Sequence, residues 1–126
     1  TAPYGNSDNQ FDIAQLAIGA GATFVARTTS YHAVPMEKII RQALDHKGFS
    51  LVEIMVGCPT GYGRKNKLGS PANMLLWQKD NAVPFSKAKD MTSEEMGTKF
   101  AIGVLHQVEK PEYVESYDNQ VGLRRD

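Results

Sequence analysis

The chain has 126 residues, 41% of them hydrophobic and 22% charged, with 14 basic and 14 acidic side chains and a formal net charge of +0. That is enough for one small domain with a real core, and it excludes a disordered chain. A balanced charge gives no electrostatic case for a nucleic-acid partner, and no apolar run reaches the roughly 20 residues of a membrane span.

No segment reads as a signal peptide, and the chain begins TAPYGN without an initiator Met. It therefore reads as a processed product or a piece of something longer. A single cysteine, Cys58, permits no internal disulfide and suits a reducing, cytoplasmic setting.

In chain order, residues 10–20 place Phe11, Leu16, Ala17 and Ala20 on one helical face, with Gly19 and Gly21 at its end. Thr23 to Arg27 is a short β-type run. Pro35 opens a helix whose buried face is Met36, Ile39, Ile40, Ala43 and Leu44. Glu37 and Arg41 lie four apart on it, and Lys47 and Gly48 end it. Ser50 to Val56 is an apolar strand of the kind buried on both faces of a parallel sheet. Helix, strand, helix, strand with short connections predicts right-handed βαβ units and an α/β fold.

After Asn66 the pattern changes. Ser70 and Pro71 cap a helix with Met74, Leu75 and Trp77 on its apolar side. Thr92 and Glu95 have the spacing of a capping box. Phe100, Ile102, Val104 and His106 alternate as in a half-buried strand, placed here at a sheet edge. Residues 111–126 show little periodicity and read as a tail that packs on a neighbour or frays.

The stretch LVEIMVGCPTGYGRKN, Leu51 to Asn66, carries the chemistry. It puts Cys58 just past the carboxyl end of a strand, where open α/β sheets place ligands. Cys58 is a buried thiol acting as a small hydrophobe, a nucleophile, or a metal ligand. A nucleophile needs a base, and His32, His46 and His106 show no local pairing with it. A metal site needs more soft ligands than this chain holds, so such a site would draw its other ligands from another segment or chain. Gly61 to Gly69 is either an anion-binding loop using backbone amides and Arg64 or a solvated surface loop. It lacks the P-loop spacing, and Gly19 to Gly21 is no dinucleotide fingerprint. His32 falls in a strand-to-helix loop, a place that also carries site residues. Glu53, inside a strand, is expected to be paired or near a sheet end, because an unpaired buried carboxylate is costly.

Six segments occur in a specific order: PYGN (Pro3 to Asn6), FD (Phe11, Asp12), GAGATFVAR (Gly19 to Arg27), HKGFSLVEI (His46 to Ile54), CPTGYGRKN (Cys58 to Asn66) and PEYVESY (Pro111 to Tyr117). Together they resemble the C-terminal part of the beta subunit of 2-oxoacid:ferredoxin oxidoreductases, the 2-oxoglutarate type being nearest. The resemblance implies the second half of a thiamine-diphosphate-binding α/β domain over 1–66 and a helix/strand extension with its tail over 67–126. It implies oxidative decarboxylation of a 2-oxoacid to an acyl-CoA, shared with an alpha subunit, with electrons passing through a 4Fe-4S cluster to ferredoxin. By the match, Cys58 is the last of four cluster ligands, and Tyr4, Gly5 and Asn6 border the cofactor site. The family's GDG motif for the diphosphate and Mg2+, and its other three cysteines, are absent. The isolated chain is then expected to bind neither group and to be inactive. Two alternatives stand beside this reading: a structural or subunit-interaction module, and a stand-alone small-molecule enzyme with Cys58 as nucleophile.

Overall fold

The computed structural model describes residues 4, 5, 7–9 and 11–122. Four strands, β1 (Phe24–Thr29), β2 (Ser50–Met55), β3 (Ala82–Pro84) and β4 (Phe100–Gln107), form one sheet in the order β2-β1-β4-β3. Among the described residues six α-helices accompany them: α1 (Ile13–Gly19), α2 (Ala33–Asp45), α3 (Pro71–Asn81), α4 (Phe85–Ala88), α5 (Ser93–Met96) and α6 (Tyr113–Val121). The parallel β1–α2–β2 unit is as the sequence predicts, with Phe24 opposite Ser50 and Thr29 opposite Met55.

β4 departs from two expectations. It runs antiparallel to β1, and it lies inside the sheet because the three-residue β3 covers its outer side. β3 ends in Pro84, which fits an edge strand because proline donates no ladder hydrogen bond. The register shifts between Val25 and Ala26, whose partners are His106 and Val104. Leu105 is therefore an extra residue, and this bulge breaks the alternation read from Phe100 to His106.

The core has two faces separated by β1. On one, Ala14 and Ala17 of α1 pack with Ala22 and Val25, and Leu51 and Leu105 close over them. On the other, Phe24, Ala26 and Ile39 pack with Ala43, Val52 and Val104. Burial of Phe24 alone contributes about 2–3 kcal/mol.

Helix α1 thus turns its small residues inward. Of the predicted face only Ala17 is buried, while Phe11 and Leu16 are exposed and Ala20 caps the helix. In α2, Ile39 is buried and Met36 and Ala43 are half-buried, but Leu44 is 80% exposed. β2 also differs from expectation. It has one strand neighbour among the described residues, and its side chains are half-buried apart from exposed Ile54; Val56, just past its end, is also exposed.

Downstream, Ser70 caps α3 by accepting from the Asn73 amide, and Met74 is buried while Leu75 and Trp77 are exposed. Thr92 and Glu95 form the reciprocal capping box. The expected tail contains a helix, α6, capped by Glu112 and ended by Gly122 in the left-handed conformation. Glu112 accepts from the amides of Val114 and Glu115, supplying the start signal that weak periodicity obscured.

Candidate functional site: the Cys58 turn

The site is built at the carboxyl ends of β1 and β2. After Met55 the chain passes through Val56 and Gly57 to Cys58, then through a wide helical turn, Pro59–Gly63, closed by the Gly63 amide donating to the Cys58 carbonyl at 2.8 Å. Cys58 has extended backbone angles and stands at the head of this turn, with Pro59 in the first position after it.

The thiol is exposed. This decides against one sequence reading, a buried sulfur acting as a small hydrophobe. Its Sγ accepts from the Gly61 amide at 3.4 Å and lies 3.8 Å from the Thr60 hydroxyl. The Gly61 amide, then the Tyr62 amide and the Thr60 hydroxyl, hold the thiol pKa below its ordinary value. Donors aimed at sulfur favour the thiolate, the form that binds metals and attacks electrophiles.

Behind the turn lies α3. Gly63 is buried, and a Cβ placed there would come within 2.7 Å of Met74 Sδ; one on Gly57 would lie 3.1 Å from Met74 Cε. Both glycines therefore admit Met74 against the turn. A cavity of about 420 Å³ opens beside it, lined by Met55, Gly57, Tyr62, Leu68, Met74 and Trp77 among others.

Sequence reasoning missed Gln78. It is 4% exposed and joins both strand ends to α3. The available signal was its position four residues after Met74, on the same inward face.

The other predicted residues are dispersed. His32 does sit between β1 and α2; its Nδ1 pairs with Thr29 Oγ1 at 2.8 Å and its ring meets Tyr31 edge-on. Glu53 is paired as expected, with Arg27 at 2.6 Å. Arg64 and Lys65 are exposed on a helical turn that continues from Gly63. Tyr4 and Gly5 are exposed and do not line the cavity beside Cys58; Asn6 lies outside the described residues. Among the described residues no group of three or more His, Cys, Asp or Glu is arranged to hold a metal ion, and no helix is long and apolar enough to cross a membrane.

Residues 1–54 match the family described as thiamine pyrophosphate enzyme, C-terminal TPP binding domain. The chain is 44% identical over 115 residues to 2-oxoglutarate synthase subunit KorB of Methanocaldococcus jannaschii, covering 91% of this chain and 43% of that one. It is 49% identical over 81 residues to the KorB subunit of Archaeoglobus fulgidus, covering 64% of this chain and 28% of the other. Among solved structures, 2-oxoglutarate:ferredoxin oxidoreductase from Magnetococcus marinus, with 2-oxoglutarate, coenzyme A and succinyl-CoA bound, shares the fold. The TM-score is 0.67 at 21% identity, over 97% of this chain and 43% of that one. The chain thus spans less than half the length of the relatives it matches, and over nearly its own full length it corresponds to the C-terminal part of the KorB-type beta subunit of 2-oxoacid:ferredoxin oxidoreductases.

Proposed function

We propose that this chain is part of the beta subunit of a cytoplasmic 2-oxoacid:ferredoxin oxidoreductase acting on 2-oxoglutarate, and that Cys58 supplies one thiolate to a 4Fe-4S cluster. The observation that carries the reading is the exposed Cys58 sulfur at a strand's carboxyl end, faced by the Gly61 amide. Relatives named as 2-oxoglutarate synthase subunits support the substrate class.

The residues present fit one corner of a cluster. A soft sulfur with an N–H donor, on a turn open to solvent, is the donor chemistry that Cys₄ clusters use. The chain has one cysteine, so the remaining ligands come from other segments. When bound, a cluster of this kind accepts and passes single electrons. The part played by this chain is to present the thiolate, hold its direction through the closed Pro59–Gly63 turn, and donate the Gly61 N–H to sulfur.

The match of residues 1–54 to a thiamine pyrophosphate-binding domain supports thiamine diphosphate as a cofactor of the whole subunit, with Tyr4, Gly5 and Asn6 bordering its site. Residues 1–66 are accordingly assigned as the second half of the cofactor domain and 67–126 as its extension, with the diphosphate held elsewhere. An alpha subunit, ferredoxin, coenzyme A and the oxoacid are the partners of the whole enzyme.

The test is an assay of the complete enzyme for coenzyme A-dependent reduction of ferredoxin, with 2-oxoglutarate, pyruvate and a branched-chain oxoacid compared. Reduction driven foremost by 2-oxoglutarate is expected; no reduction with any oxoacid would refute the activity. A second reading, a subunit-interaction module without chemistry of its own, draws on exposed apolar residues of α1, of β2 and just past β2, such as Leu16, Ile54 and Val56. It predicts full turnover after Cys58→Ser.

A further inference from the structure

The segment that carries Cys58 is held at both ends by a single helix. At its start, Met55 O accepts from Gln78 Nε2 at 3.2 Å and from the Ser30 amide at 3.0 Å. At its end, buried Gly63 packs on Met74. Met74 and Gln78 are one turn apart on α3, and both are buried in a helix whose neighbouring Leu75, Leu76 and Trp77 are exposed.

The orientation of the Gln78 amide is fixed by its partners. Oε1 faces the Tyr31 amide at 3.1 Å and the Ser30 hydroxyl at 3.0 Å, and an N–H can only donate. Nε2 faces a carbonyl, which can only accept. Flipping the amide would set donor against donor and acceptor against acceptor. One side chain therefore ties the end of β1 to the end of β2, and the same helix backs the turn with a thioether.

We propose that Gln78, acting with Met74, is the positioning residue for the Cys58 turn, fixing the direction from which the sulfur meets its metal partner. The metal half of this inference rests on the reading of Cys58 as a cluster ligand; the positioning half rests on geometry alone. Neither side chain is seen to touch the sulfur. Their effect passes through Met55 O at one end and through Gly57 and Gly63 on either side of Cys58. Because the N–H groups directed at a ligating sulfur tune a cluster's potential, displacement of the turn shifts that potential as well as its mobility.

The test compares wild type, Gln78→Leu and Met74→Ala in the assembled complex by two measurements: amide hydrogen exchange across residues 56–64, and the cluster's reduction potential with its electron paramagnetic resonance spectrum. Gln78→Leu removes all three hydrogen bonds and is expected to speed exchange in 56–64 by about tenfold, since one of the three anchors Met55 at the start of that segment. Met74→Ala is expected to loosen the same segment from its Gly63 end, with the interiors of β1 and α2 unchanged in both variants. The potential and the spectrum are expected to shift with it. If Gln78→Leu does not assemble, Gln78→Glu serves. It keeps the acceptors for Tyr31 and Ser30, loses the donor to Met55, and should loosen the same segment. Unchanged exchange in 56–64, or equal loosening throughout β1 and α2, would overturn the positioning role. Wild-type complex without iron would overturn the metal half, and the exchange result would still decide the positioning half.

Discussion

Arg27 and Glu53 face each other directly across the parallel β1–β2 pair, and the Arg27 Nε donates to Glu53 Oε2 at 2.6 Å with side-chain exposures of 14% and 22%. The guanidinium also reaches Asp12 at 3.0 Å, the residue that caps α1 by accepting from the Gln15 amide. One cation thus links two strands to the start of the helix that covers them. Glu53→Gln should cost about 2–3 kcal/mol, as expected for a sheltered hydrogen bond to a charge. Arg27→Leu should cost more, because Glu53 and Asp12 both lose their partner. Urea unfolding of each single variant and of the double variant checks this; additive costs would show that the pair is not coupled.

Gly48 is the clearest backbone requirement. Its φ is +137°, and a Cβ there would collide with Thr23 Oγ1. That hydroxyl bonds His46 at 2.8 Å and the Phe49 carbonyl at 3.3 Å. Gly48→Ala should therefore destabilise by about 1–3 kcal/mol through backbone strain, with further loss from the displaced hydroxyl. A thermal shift within error of wild type would contradict it.

Two exposed carboxylates give an acid-side signature. The Thr92 amide, then the Thr92 hydroxyl, hold Glu95 below the ordinary carboxylate range. The amides of Val114 and Glu115 do the same for Glu112. A depressed folded-state pKa means stabilisation that is present above the unfolded value of about 4.3 and lost as pH falls through the folded value. Glu112→Gln should thus lower stability relative to wild type at neutral pH, with the gap closing in acid. A gap of constant size from pH 7 to pH 2 would be inconsistent with this.

The same sign argument applies to the thiol. With the Gly61 and Tyr62 amides and the Thr60 hydroxyl lowering its pKa, metal-free Cys58 should be alkylated with a pH midpoint below that of an ordinary thiol. Thr60→Val removes one of the three donors and should move the midpoint up. A wild-type midpoint at or above the ordinary value would contradict the geometry.

Much of the local structure was legible in the sequence because its signals are local. Ser70-Pro71, Thr92 with Glu95, and the Pro35 helix depend on neighbours within one turn, and each forms where the residues indicate. What failed depends on distant partners. The inward face of α1 is Ala14 and Ala17 because the helix packs closely on β1, and nothing within the helix says that Phe11 and Leu16 stay outside. The alternation of β4 points to an edge because its outer neighbour β3 has only three residues and leaves little sequence signal, and that alternation ends at a bulge that only pairing with β1 reveals.

At the site, Cys58 and its place after β2 were readable, but Gln78 was not. Its spacing from Met74 marks the inward face of α3, but a glutamine there shows no role until the ends of β1 and β2 are seen to converge on it.

The most direct test of the account is iron and acid-labile sulfide in the anaerobically purified complete enzyme, measured for wild type and for Cys58→Ser. Iron and sulfide near four each per cluster are predicted for wild type, falling with ferredoxin reduction in the variant. Equal iron, sulfide and turnover in both proteins would contradict the assignment of Cys58.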